Sequence, residues 1–145
     1  MKITVDADAT PRKALEICKE AAEKFAVELW TVASINHNIT SPNHIVVGNG
    51  PQETDMKILN ITNRGDVVVT GDFGLAALAL ARGAAAISPA GRVYRRETIE
   101  FLLEERELMA KYRRSGGRTR GPSKRTRDDD ERFRRNLWQL LGGGR

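Results

Sequence analysis

Short β-branched apolar runs alternate along this chain with longer stretches of helical period. Lys2–Val5 reads as a first strand ending in Asp6-Ala7-Asp8-Ala9. Thr10 and Pro11 then supply a helix N-cap and a proline at the first helical position. Ala14, Cys18, Ala21, Ala22 and Phe25 follow at helical spacing and form one apolar stripe. Val27–Ala33 predicts a second strand, Ser34 to Asn43 a polar loop, and Ile45–Val47 a short third strand closed by Gly48-Asn49-Gly50-Pro51.

Glu53–Ile61 predicts a helix that turns Met56, Leu59 and Ile58 inward. Asn63-Arg64-Gly65-Asp66 is a turn signal, and Val67–Thr70 is apolar except for its last residue, as the buried middle of a parallel sheet requires. Phe73–Arg82 is an alanine-rich helix with Gly83 placed to cap it, and Ala84–Ile87 is a further strand candidate. Thr98–Tyr112 carries Ile99, Leu102, Leu103 and Met109 on one helical face. Strands alternating with helices predict an α/β domain with a central, mostly parallel sheet and helices on both faces. The expected organisation is a domain over residues 1–114, a flexible Gly- and Arg-rich arm over 115–127, a docking helix over 128–141 anchored by Phe133, Leu137 and Leu140 or Leu141, and a disordered tail over 142–145.

Length and composition agree: 145 residues with 40% hydrophobic and 30% charged content suit one globular domain. No apolar run approaches the roughly 20 residues needed to cross a bilayer, and the opening lacks a signal peptide's apolar core. The single cysteine, Cys18, excludes an intrachain disulfide and a cysteine-based zinc site. The expectation is a cytoplasmic protein. Charge changes the picture further. Residues 1–91 hold 8 basic against 10 acidic side chains, whereas residues 92–145 hold 16 against 9. Lys111 to Arg127 contains eight basic residues and no acid, a footprint for a polyanion. The alternatives are a solvated tail without a dedicated partner and a membrane surface, the latter disfavoured because no Trp, Phe or Leu is interleaved there.

Ligand sites in open α/β sheets lie beyond the carboxyl ends of the strands, which sorts the acidic residues by position. Asp6 and Asp8 follow the first strand, and Asp72 follows Val67–Thr70. Asp66 opens that same strand, roughly 20 Å away at strand rise, and is excluded as a turn former. Asp55 stands near a helix start, where it either joins the cluster or complements the helix dipole. Capping accounts for one of Asp6 and Asp8, but not for both together with Asp72 at one pole. Clustered carboxylates repel unless a hard cation such as Mg²⁺ or Mn²⁺ is shared, and such a site suits phosphodiester chemistry. His37 and His44 have no cysteine partner, and Gly48-Asn49-Gly50 does not extend into a phosphate loop. Ser34 and Ser88 have no visible base, Trp30 is expected in or beside the core, and Trp138 is expected as a docking anchor.

Taken together, the motifs resemble the bacterial YaiI/YqxD family, which is similar to PIN-like nuclease folds. The matching residues are Val5-Asp6-Ala7-Asp8-Ala9 with Pro11, Asp55, Gly65-Asp66, Val69-Thr70-Gly71-Asp72 and Leu75-Ala76, then Gly83-Ala84, Gly91, Tyr94, Ile99, Arg106, Arg113, Gly116, Thr119, Gly121-Pro122 and Phe133. The resemblance implies a three-layer α/β/α fold and an acidic metal site at Asp6, Asp8, Asp55 and Asp72. Asp6 and Asp72 would be the central, catalytic ligands, and Asp8 and Asp55 would complete the shell or orient water. Arg113 and Gly121-Pro122 would close over the site or contact phosphate. Three departures stand out: Thr10 replaces a usual cysteine, Ser34 a usual asparagine, and Arg120 a glycine.

The expected function is a metal-dependent nuclease or related phosphodiesterase using Mg²⁺ or Mn²⁺, acting on RNA ahead of DNA. Arg113, Arg114, Arg118, Arg120, Lys124 and Arg125 would position the phosphate backbone. The alternatives are a nucleic-acid-binding or regulatory protein that keeps the fold without cleaving, and an interaction module whose arm binds an acidic protein. Oligomeric state is left open.

Overall fold

The computed structural model describes residues 1–35, 39–50, 52–118 and 124–143. Five strands form one sheet: β1 (Lys2–Asp6), β2 (Glu28–Ser34), β3 (Asn43–Val47), β4 (Val67–Val69) and β5 (Ala85–Ile87). Their order across the sheet is β3-β2-β1-β4-β5, with every pair parallel. β1 therefore lies in the middle, where both neighbours satisfy its backbone, and its apolar Ile3 and Val5 are fully buried.

Alternation along the strands separates two cores. Ile3, Val5, Val67, Val69 and Ile87 pack against α1 (Arg12–Phe25) and α5 (Arg127–Trp138). Val32, Val68 and Ala86 face the other way, toward Ile58 of α2 (Glu53–Ile61), Leu75 and Ala79 of α3 (Phe73–Ala81), and Ile99 of α4 (Arg96–Arg114). The result is the expected three-layer α/β/α arrangement.

Several local expectations change. α1 starts at Arg12 with Pro11 as its N-cap residue; Thr10 donates its hydroxyl to the Asp6 carbonyl at 2.7 Å instead of capping. On α2 the buried residue is Ile58, whereas Met56 is exposed, because a helix this short presents a single face to the sheet. α4 is longer than expected and rests on the domain through Ile99, with Leu102 and Leu103 half-buried. Met109 lies outward together with Phe101, Leu108 and Tyr112. Gly83 has φ +85° and ends α3 as its placement implied.

The C-terminal helix is bound tightly to the body. Phe133 and Leu137 are fully buried and Leu141 nearly so, each worth about 1.5–3 kcal/mol of transfer free energy. Trp138 meets Phe25 edge-on at 5.7 Å between ring centroids, so it is an anchor. Thr126 and Asp129 form a reciprocal capping box at the start of α5. Residues 119–123, which include Thr119, Arg120, Gly121 and Pro122, lie outside the described residues, but Arg125 and Thr126 belong to the helix entry rather than to a free arm. Gly142 and Gly143, expected in a disordered tail, continue the chain as a π turn after α5, with Gly142 lodged against the Phe25 ring.

Candidate functional site

From β1 the chain moves outward through β2 and β3, then returns to build β4 and β5 on the other side. The helix following β1 and the helix following β4 consequently lie on opposite faces of the sheet. The carboxyl ends of β1 and β4 adjoin at this reversal of strand order, the switch point where open α/β sheets bind ligands. Asp6 ends one of these strands, and Thr70-Gly71-Asp72 follows the other.

Asp6 is 6% exposed and accepts a hydrogen bond from the Thr70 hydroxyl at 3.0 Å. Burial pushes its carboxyl up to about 6; the Thr70 bond works against that shift, while Asp55, Asp8 and Asp72 add to it by repulsion. Asp72 caps α3, accepting from the Gly74 and Leu75 amides at 2.8 and 3.3 Å. Arg106 of α4 reaches the same Asp72 oxygen at 3.8 Å. Asp55 stands in the first turn of α2, its carboxyl raised by burial and by Asp72.

Asp8 has a different setting. Its two oxygens accept from the Ser34 amide at 3.0 and 3.1 Å, from the Ser34 hydroxyl at 3.3 Å and from Thr54 at 3.1 Å. It therefore ties the end of β2 and the start of α2 to the loop after β1. Ser34 still supplies polar contact where the resemblance leads one to expect asparagine. Asp66, at the opposite pole, accepts from the Lys2 amide and ammonium and from the Asn63 amide, as a turn former should.

Asp8, Asp55 and Asp72 thus lie close enough to Asp6 to raise its pKa, and Asp72 close enough to Asp55 to raise that one. The donor chemistry fits a hard divalent cation: all four are oxygen donors, and among the described residues no hydrogen-bond donor reaches the second oxygen of Asp6 or of Asp72. Among the described residues, however, no group of three or more carboxylate, imidazole or thiolate side chains is placed so that it could hold a metal ion.

The basic residues divide. Arg113 lines a groove beside Asp72 together with Phe73, Arg92 and Arg106. Arg114, Arg118 and Lys124 are exposed, and Arg120 lies outside the described residues. Arg125 turns inward, its Nε donating to Asp130 at 2.6 Å and its Nη1 to the Pro89 carbonyl. Position in the sheet also brings in residues that sequence reasoning gave no role: Arg92 and Arg95, in the segment just after β5, border a cavity of about 850 Å³ next to Gly71 and Phe73. Their signal was the rule that carboxyl ends of strands build sites, applied to the Arg92–Arg96 stretch. His44 sits away from the switch point, its Nδ1 2.7 Å from the Thr31 hydroxyl, and His37 lies outside the described residues.

A family model for the uncharacterised YaiI/YqxD proteins matches residues 4–143. The UPF0178 protein of Heliobacterium modesticaldum is 52% identical over 97% of each chain. Its namesake in Clostridium tetani is 44% identical over 98% of this chain and 97% of its own, and that of Clostridium kluyveri is 40% identical over 100% and 95%. No solved structure matches.

Proposed function

Because the chain belongs to the YaiI/YqxD family, whose description carries no activity, its chemistry is read from the site, and we propose a divalent-metal-dependent phosphodiesterase acting on nucleic acid, RNA ahead of DNA. The observation that carries this reading is the placement of Asp6 and Asp72 on either side of the switch point, each with one oxygen that no donor among the described residues reaches.

Mg²⁺ or Mn²⁺ held there would lower the pKa of a water and balance the charge of a phosphodiester. The chain's own residues prepare the site in three ways. Thr70 orients the Asp6 carboxylate and opposes the rise in pKa that burial imposes on it. The α3 amides hold Asp72 in a fixed rotamer. Arg106 and Arg113 line the groove beside Asp72 with guanidinium groups of the geometry that grips phosphate oxygens in pairs.

One observation favours a second reading, a nucleic-acid-binding protein that does not cleave: Asp72 is already engaged by two amides and lies near Arg106, which weakens it as a cation ligand. Calorimetric titration with Mn²⁺, run beside incubation with labelled RNA, separates the two. Cleavage by the intact protein that disappears in Asp6→Asn and Asp72→Asn, together with metal binding, supports the phosphodiesterase. Salt-sensitive RNA binding without cleavage, retained in both variants, supports the second reading.

A further inference from the structure

The cavity after β5 has a rigid rim. Ser88-Pro89-Ala90-Gly91 forms a turn, closed by the Gly91 amide donating to the Ser88 carbonyl at 2.9 Å. Three side chains from α5 and its entry grip successive carbonyls of that turn: Arg125 holds Pro89, Arg132 holds Ala90 at 3.2 Å, and Asn136 holds Gly91 at 2.7 Å. The segment leaving the turn is held as well, through a bridge between Ile87 and Val93 and a bond from the Tyr94 amide to the Ala86 carbonyl.

This clamp leaves two cations uncommitted. The guanidinium groups of Arg92 and Arg95 are exposed, border the cavity, and make no hydrogen bond or ion pair among the described residues. Arg125 adds a buried Nη2 without a hydrogen-bond partner among the described residues. Of the four guanidinium groups around the cavity, Arg125 is paired with Asp130 and Arg132 with Asp129, which leaves the two charges of Arg92 and Arg95 in excess. That excess is larger than a single diester, with one charge, would balance. A phosphomonoester carries about −1.5 to −2 charge at pH 7 and offers three acceptor oxygens, which two arginines can share in bidentate fashion. Phe73 lines both this cavity and the groove beside Asp72, placing an aromatic face between the basic pocket and the carboxylates. The volume of about 850 Å³ accommodates more than a phosphate and falls within the roughly 300–1,000 Å³ of small-molecule pockets.

We infer that this cavity seats a terminal phosphomonoester nucleotide, with Arg92 and Arg95 binding the phosphate and Phe73 stacking on the base. The inference deepens the phosphodiesterase reading, because it makes a phosphorylated strand end the part of the substrate lying beside Asp6 and Asp72. The same chemistry comes from a nucleic-acid end or from a free nucleoside monophosphate, so both are tested.

The experiment measures fluorescence anisotropy of the full chain in EDTA, where no cleavage can contribute. Labelled oligoribonucleotides carrying a 5′-phosphate, a 3′-phosphate or hydroxyl ends are compared, with unlabelled nucleoside monophosphate as competitor. One phosphorylated end should bind at least 10-fold more tightly than the hydroxyl strand. Arg92→Gln/Arg95→Gln should abolish that difference, whatever its effect on the affinity common to all three strands. Competition by the monophosphate at concentrations that leave hydroxyl-strand binding intact identifies the free nucleotide as sufficient; competition only by phosphorylated strands identifies the nucleic-acid end. Equal affinity for all three strands, or a preference that survives in the double variant, overturns the inference. Loss of cleavage elsewhere would not affect this result, since it is read without metal.

Discussion

Thr70 bridges the two central carboxylate residues: its hydroxyl donates to Asp6 at 3.0 Å and accepts the Asp72 amide at 3.0 Å. One side chain at the end of β4 thereby couples the carboxylate of β1 to the cap of α3. Thr70→Val removes the donor that favours ionised Asp6, so the Asp6 carboxyl should titrate above its present value of about 6. Carboxyl-carbon NMR titration of both proteins checks this, and an unchanged midpoint would show the bond to be inconsequential.

Asp6 also makes stability depend on pH. Its folded pKa lies above the unfolded value, so the native state binds the proton more tightly. This contribution is fully present below about pH 4 and is lost as pH rises through about 6. Without metal, Asp6→Asn should therefore exceed the parent in stability at pH 8 by about 1–3 kcal/mol, a gap that closes toward pH 4. Urea melts in EDTA at both pH values measure it. Added Mn²⁺ should narrow the gap at pH 8 by stabilising the parent selectively.

Asp72 combines a cap with a candidate ligand, and two substitutions separate these roles. Asp72→Ala should cost about 1 kcal/mol through loss of the N-cap, whereas Asp72→Asn should stay close to the parent because asparagine caps equally well. Both should lose Mn²⁺ affinity. Thermal melts combined with calorimetry decide the matter; metal affinity retained in Asp72→Asn would remove Asp72 from the ligand set.

Gly91 is the point at which the turn after β5 meets α5. It has φ +96°, and a Cβ there would stand 2.7 Å from the Phe133 amide nitrogen, a backbone atom that cannot move aside cheaply. Gly91→Ala should destabilise the fold by about 1–3 kcal/mol. Deuterium exchange should show the loss concentrated in α5 and in residues 88–95.

The exposed cations Arg114, Arg118 and Lys124 are independent of the folded core. Replacing all three with glutamine should leave the melting temperature within about 2 °C of the parent while lowering the salt dependence of RNA binding, by up to about two units of log–log slope. Deleting residues 115–127 would be a poorer test, since it also removes Arg125 and Thr126, which secure the entry of α5.

Much of this was legible in the sequence because it depends on local rules. Period-2 and period-3.6 patterns marked the strands and helices, Gly83 announced its cap, and Phe133 and Leu137 announced a docking helix. The pole of the sheet could be assigned too: Asp6 and Asp72 follow strands, whereas Asp66 precedes one. The roles of these residues were not legible, because hydrogen-bond partners are chosen by contacts distant in sequence. Asp8 is 26 residues from Ser34, and Arg125 is 36 from Pro89. Strand order, which brings β4 beside β1 and so joins Asp6 to Thr70, is likewise a tertiary decision. So is the setting of the arginines. Charge alone counts Arg125 and Arg92 alike, but packing turns the first inward against a carbonyl and leaves the second exposed. The chain encodes its elements through short-range periodicity; which of its charges are satisfied, and which remain available for chemistry, is decided only when the layers close.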